Sequence, residues 1–203
     1  GAFRGISKLQ PAHTLVFEDG RLSIERYWRI EDEVLEARGG ALSESQRIDR
    51  LDELLRDAVR YRMISDVDLG CFLSGGLDSS AVLRYMAEAS DRPVNTYTLV
   101  FPDAPRYDES EASRELARYF DTNHTEIEIS PVITDLLPKM VRHFDEPFGN
   151  PTALLVHELT REARSHATVA LAGDGGDEVF GGYSRYEAWR YYAFARILPR
   201  WLY

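Results

Sequence analysis

Hydrophobic positions recur along the chain with two different periods. From His13 to Trp28 the sequence HTLVFEDGRLSIERYW alternates apolar and polar residues on either side of Asp19-Gly20. Two β-rich runs around Asp-Gly predict a hairpin, because that dipeptide tolerates the positive φ angles of a two-residue turn. Residues 31–42 are polar, with Gly39-Gly40 inside them, and read as a linker. Beyond it, Ser43 or Ser45 can cap a helix whose apolar positions Ile48, Leu51, Leu54, Leu55, Ala58 and Val59 recur at three and four.

After that helix the two periods take turns. Short apolar runs at Leu69–Leu73, Asn95–Phe101, Thr125–Ile129 and Thr168–Ala172 predict strands. The segments Asp78–Ala89, Glu109–Phe120, Val132–Phe144 and Thr152–Ser165 predict helices. Strands separated by helices imply an α/β fold, with a parallel sheet and helices on both faces. Ligands of such sheets bind beyond the carboxyl ends of the strands, so the loops there are the places to look for chemistry.

Two such loops stand out. The strand ending at Leu73 runs into Ser74-Gly75-Gly76, and a helix begins near Asp78-Ser79-Ser80. Glycines let the backbone approach an anion closely, and the unpaired N–H groups of a helix start attract one. Ser74, Ser79 and Ser80 can add hydroxyl donors. Asp78 would repel phosphate unless a cation lay between them, so it reads as a Mg²⁺ ligand or, more simply, as a helix cap. The second loop, LAGDGGDEVFGGYSRY at residues 171–186, gathers Asp174, Asp177 and Glu178 among Gly173, Gly175 and Gly176. Three carboxylates so close repel one another unless a metal or a proton-transfer role offsets the repulsion; otherwise the loop is a solvated acidic turn.

Composition narrows the choices. The chain has 203 residues, 24 Lys and Arg against 34 Asp and Glu, and a formal charge of −10. That balance lacks the basic face of a nucleic-acid or acidic-membrane binder, so an anion would have to be held locally. No apolar run approaches the roughly 18 residues of a membrane span. The single cysteine, Cys71, fits a reducing cytoplasm, and in its apolar strand it is expected to be a core residue.

The first loop matches neither the Walker A nor the dinucleotide-binding pattern. At Ser74, Gly75, Gly76, Asp78 and Ser79 it resembles the PP-loop, SGG-x-DS, of the ATP pyrophosphatase superfamily. With GDGGDEVFGGYSRY a hundred residues later, the pair resembles the synthetase domain of the glutamine-hydrolysing asparagine synthetases. DEPFGNPTALL at 145–155 and GISKLQPAHTLVFEDG at 5–20 are similar to further segments of that family. Where the family commonly has Pro-Pro-Gly-His, this chain has Gln10-Pro11-Ala12-His13.

The resemblance implies an adenine nucleotide α-hydrolase-like fold and an order of parts. Residues 1–30 would close a glutaminase domain, 31–42 link, and 43–203 begin the ATP-binding synthetase domain. It implies that ATP adenylates the side-chain carboxylate of aspartate with release of pyrophosphate, and that ammonia from glutamine then displaces AMP to give asparagine. Ser74, Gly75, Gly76, Asp78, Ser79 and Ser80 would hold pyrophosphate. Phe72, Leu99, Ala172 and Gly173 would lie around the adenosine, unless the apolar ones are simply core. Asp78 and Asp177 would bind Mg²⁺, and Asp174 would take a proton from ammonia. Related β-lactam-forming synthetases have tyrosine at the position of Asp174, so the aspartate favours amidation by ammonia.

Glu178 and Arg185 are candidates for substrate contact, and Arg185 is equally at home on a helix surface. His124, at a strand start, would either touch nucleotide or serve the structure. The family's glutaminase nucleophile is an N-terminal cysteine and its synthetase domain runs on to a lysine-bearing helical part, so the chain is expected to be a portion of the enzyme, inactive alone. A homodimer is expected for the whole enzyme. The alternatives are an adenylating ligase of the same fold with another carboxylate acceptor, or a nucleotide-binding module without catalysis.

Overall fold

A computed structural model describes residues 3–32, 42–129, 133–146, 149–150 and 152–195. Most of the expected linker, residues 33–41, lies outside the described residues, as do residues 147, 148 and 151 of the 145–155 segment. The chain divides into two units: residues 1–52 with 138–149, and residues 53–137 with 150–203.

The first unit contains the expected hairpin, β1 (His13–Glu18) against β2 (Arg21–Arg26), paired antiparallel with Glu18 opposite Arg21. Asp19 and Gly20 both take positive φ, 50° and 73°, the geometry of a turn whose twist matches that of the strands. Leu15 faces Ile24 and Phe17 faces Leu22 across the ladder, so the four share one face of the ribbon. All four are exposed. Further on, Ser43 starts α1 (Glu44–Arg62) with a capping box: Gln46 N–H donates to Ser43 Oγ, and Ser43 N–H to Gln46 Oε1.

After α1 the order is β3 (Leu69–Phe72), α2 (Leu77–Ala89), β4 (Asn95–Val100), α3 (Ser110–Tyr119), β5 (Asn123–Glu128), α4 (Ile133–Phe144), α5 (Thr152–Ala163), β6 (Val169–Leu171), α6 (Gly176–Phe180) and α7 (Ser184–Ala195), all in the second unit except the part of α4 from Pro138 on. A 3₁₀ turn at Pro105–Tyr107 precedes α3. The four strands form one parallel sheet in the order β5-β4-β3-β6. The elements agree with the sequence pattern to within a few residues. After the last strand two helices follow in place of one, because Gly181 turns left-handed (φ 73°) and ends α6.

Alternation along β3 sends its side chains to opposite faces. Cys71 and Leu73 join Leu83 and Met86 of α2 and Val59 of α1 in one buried cluster. Phe72 turns the other way, to Tyr97, Ile127 and, on α5, Leu155, Leu159 and Ala163. Fully burying a side chain the size of Leu83 or Met86 contributes about 1.5–3 kcal/mol. Gly70 is needed between the two layers, since a Cβ there would enter the Tyr97 ring. Of the six apolar positions expected to bury α1, only Leu55, Ala58 and Val59 do so to any extent; Ile48, Leu51 and Leu54 are exposed. Among the described residues no helix is long and apolar enough to cross a membrane.

Candidate functional site

From β3 the chain proceeds to β4 and β5 on one side, then returns to β6 on the other. The strand order therefore reverses between β3 and β6, and the crevice beyond their carboxyl ends is where a parallel sheet accepts a ligand. Both candidate loops leave the sheet there, since Cys71 pairs with Leu171 and each loop begins within a few residues of that pair.

Gly76 flanks the start of α2 in an extended conformation, with no side-chain cap. Asp78 thus lies inside the first helical turn and does not cap it. The loop is tied by its own hydroxyls. Ser74 N–H donates to Ser79 Oγ at 3.2 Å, and Gly76 N–H to Ser74 Oγ at 3.3 Å. The two hydroxyl oxygens are 2.8 Å apart. Ser79 Oγ, with its one proton, lies within reach of the carbonyls of Ser74 and Gly76, and Ser80 Oγ donates to Gly76 O. The hydroxyls expected to meet an anion therefore first shape the loop. Between them, Gly75 N–H donates to Glu109 Oε2 at 3.2 Å.

The second loop packs directly on the first. A Cβ on Gly173 would lie 2.7 Å from Ser79 N and 2.9 Å from the carbonyl carbon of Asp78, so only glycine fits between the loops. The Asp78 carboxylate rests on the Cα of Gly176, the residue before Asp177. Gly175, with φ 95°, makes the turn that starts α6. Asp174 is exposed and Asp177 half-buried, and Asp177 Oδ1 lies over Gly182 at the far end of α6. Glu178 accepts a hydrogen bond from the Tyr183 hydroxyl at 2.7 Å. The Arg185 guanidinium lies 3.9 Å from the centre of the Tyr183 ring. The Tyr183 hydrogen bond first, the Glu178 backbone N–H next and the nearby Arg185 charge least hold the Glu178 carboxyl below its ordinary range. The same bond raises the Tyr183 phenol.

Phe72 and Leu99 are half-buried in the cluster beneath α5, with Phe72 edge-on to Tyr97 at 6.4 Å. Ala172 is half-buried beside the crevice. Burial pushes the Cys71 thiol up to about 12, in keeping with a core residue and not a nucleophile. Of the two roles open to His124, its position agrees with the structural one. His124 pairs with Thr96 at the amino ends of β5 and β4, opposite the crevice, and its Nδ1 lies 2.9 Å from Thr96 Oγ1.

Glu109 was not singled out from the sequence. Its signal was available, because it lies on a loop leaving the carboxyl end of β4. A pocket of about 500 Å³ beside the first loop is lined by Gly75, Gly76, Glu109, Glu111, Ala112 and Glu115, among others. Another, of about 620 Å³, lies at the opposite, amino ends of β3 and β6, around Asp68, Arg92, Arg164 and His166. Among the described residues no group of three or more Asp, Glu, His or Cys side chains is arranged to hold a metal by itself. A cation in the crevice would need oxygens from a ligand or water beside Asp78 and Asp177.

The asparagine synthase family model matches residues 50–200. A putative glutamine-hydrolysing asparagine synthetase 2 of Methanocaldococcus jannaschii is 34% identical over 204 residues, 98% of this chain and 38% of the relative. Glutamine-hydrolysing asparagine synthetases 1 and 3 of Bacillus subtilis are each 31% identical, over 89% and 90% of this chain and 28% and 31% of theirs. The chain thus spans about a third of the length of these relatives. A solved NH3-dependent NAD synthetase from Campylobacter jejuni matches 67% of this chain and 60% of its own with 16% identity and a TM-score of 0.45, and no conclusion rests on that likeness. A family model over the sheet-bearing part and relatives aligned along nearly the whole sequence agree: the chain belongs to the asparagine synthase family.

Proposed function

We propose that the chain forms the nucleotide-binding part of an ATP-dependent amide-forming ligase that converts aspartate to asparagine. The observation that carries this is the packing of Gly173 and Gly176 on Asp78 and Ser79, which joins the two loops at the sheet's switch point. In this reading an aspartate side-chain oxygen attacks the α-phosphorus of ATP, the α–β bridge breaks, and pyrophosphate leaves into the loop at residues 74–80. Ammonia then attacks the acyl carbon of the aspartyl adenylate. Asp174, exposed at the crevice, accepts its proton, and AMP departs. Adenosine lies against Phe72, Leu99, Ala172 and Gly173, while Arg185, held over Tyr183 next to Glu178, meets a charged group of the amino-acid substrate.

Asp78 and Asp177 would hold Mg²⁺, whose chemistry is to offset the charge of the polyphosphate. Two carboxylates completed by phosphate oxygens and water suit that ion, and among the described residues no larger cluster of metal-binding side chains competes with them. Residues 1–30 are proposed as the end of a glutaminase domain supplying ammonia from glutamine, with residues 31–42 as linker and 43–203 as the start of the synthetase domain. The apolar face of Leu15, Phe17, Leu22 and Ile24 supports this, since two strands cannot cover their own face and an isolated hairpin is marginal in water. The cytoplasm and a homodimer belong to the same reading of the whole enzyme.

Calorimetric titration tests the proposal. ATP with Mg²⁺ and AMP should both bind. Asp78→Asn should weaken Mg·ATP by about ten- to a hundredfold, the worth of one charged contact, while AMP changes little. Equal losses for both nucleotides would refute the assignment.

A further inference from the structure

The first three N–H groups of the loop all have acceptors within the protein. Two of these acceptors, Ser79 Oγ and Ser74 Oγ, belong to the loop itself and are neutral. The third is the Glu109 carboxylate, which is charged, exposed, and arrives from the start of α3, 34 residues away. A carboxylate oxygen on a backbone N–H of an anion-holding turn is what a phosphate oxygen would be. We propose that Glu109 is a resident anion of the loop, which pyrophosphate must displace from Gly75 N–H and which returns when pyrophosphate leaves. This rests on the proposed role of residues 74–80 and adds a residue to it.

Three features let the carboxylate leave without unmaking the loop. Gly75 is held against α3 by packing as well, because its Cα lies so close to Ala112 that a Cβ would come within 2.7 Å of the Ala112 Cβ. Asp108, the neighbouring acid, is committed elsewhere: it accepts from Ser110 N–H and Ser110 Oγ at the start of α3. The pocket of about 500 Å³ that Glu109 lines gives its side chain space to swing into. Carboxylate and phosphate sharing one N–H would bring two like charges to contact distance. Their mutual repulsion makes the exchange all-or-none, and no bond is made or broken in it beyond the hydrogen bond itself.

Two readouts test this on the 203-residue chain and its Glu109→Gln, Glu109→Ala and Glu111→Gln variants. Affinity for inorganic pyrophosphate with Mg²⁺, and for AMP, is measured by calorimetry; amide exchange at Gly75 without ligand is measured by NMR. Both Glu109 variants should bind pyrophosphate about five- to tenfold more tightly, the size of one unit charge at contact distance when water screens it fully, as at an exposed side chain. AMP should change less than about twofold, the gain at Glu111→Gln should be smaller, and Gly75 exchange should quicken in Glu109→Ala. Unchanged or weakened pyrophosphate binding in both Glu109 variants, an equal gain at Glu111→Gln, or an unaltered Gly75 amide overturns the inference and leaves the proposed function standing. AMP binding without pyrophosphate binding in any form overturns the pyrophosphate role of residues 74–80 and this inference with it.

Discussion

Gly173 and Gly176 sit three residues apart in one loop and answer to different neighbours. The side chain that Gly173 lacks would strike backbone, Ser79 N and the carbonyl carbon of Asp78, which cannot move aside without shifting α2. The nearest atoms a side chain at Gly176 would strike are those of the Asp78 carboxylate, which can rotate. Gly173→Ala should therefore destabilise the chain by about 1–3 kcal/mol in denaturant unfolding and lose nucleotide. Gly176→Ala should unfold nearly as the wild type does, yet bind Mg·ATP more weakly than AMP. His124 carries a second expectation. Burial, which outweighs the attraction of Glu126, lowers its pKa below the ordinary 6.5. The unfolded chain then takes up the proton first, so the contribution is present above that value and lost as pH falls through it. Melting temperatures measured from about pH 8 to 5 should fall on the acid side, and fall less steeply in His124→Gln.

At the start of α2 the serines do two things that the motif alone does not separate. Ser79 is buried and gathers Ser74 N–H, Ser74 Oγ and a loop carbonyl about one hydroxyl, whereas Ser80 reaches only Gly76 O. Ser79→Ala should cost about 1–3 kcal/mol, as expected when buried polar partners lose their mate. Pyrophosphate affinity should fall with it. Ser80→Ala should cost less in both, and thermal melts with pyrophosphate titrations check the pair. α1 shows the limit of periodicity. Its apolar stripe is continuous, but only the last turns, with Leu55 and Val59, meet the sheet. Ile48, Leu51 and Leu54 stay exposed, because periodicity says which residues share a face and not how far along the helix its partner extends.

For the molecule as a whole, the decisive expectation concerns Asp174 in a protein of the relatives' full length. Asp174→Asn should keep aspartate-dependent exchange between ATP and pyrophosphate and lose amide formation about 10²–10⁴-fold, because the amide cannot take a proton from ammonia. Loss of both together would move Asp174 to the nucleotide or metal. The exposed hairpin face and the exposed aromatics of α7, Trp189, Tyr191 and Tyr192, are apolar surface that the described residues leave uncovered.

Much of this was legible in the sequence, for physical reasons. Strand and helix order follow from side-chain periods of two and 3.6, and the hairpin turn from residues that accept positive φ. The glycine-rich loops announce themselves because close backbone approach has few chemical solutions. What the sequence could not supply was distance between residues far apart in the chain. Nothing in the period of β6 says that it pairs with β3 and not with β5; that depends on how the sheet closes around its core, and it brings Gly173 onto Ser79. The same arrangement sends His124 to the opposite end of the sheet and leads Glu109, an ordinary helix-start acid by sequence, onto the amide of Gly75. Local propensity writes the elements, but contacts between loops are settled only when the sheet assembles, since each is a joint property of two strands and the layers packed on them.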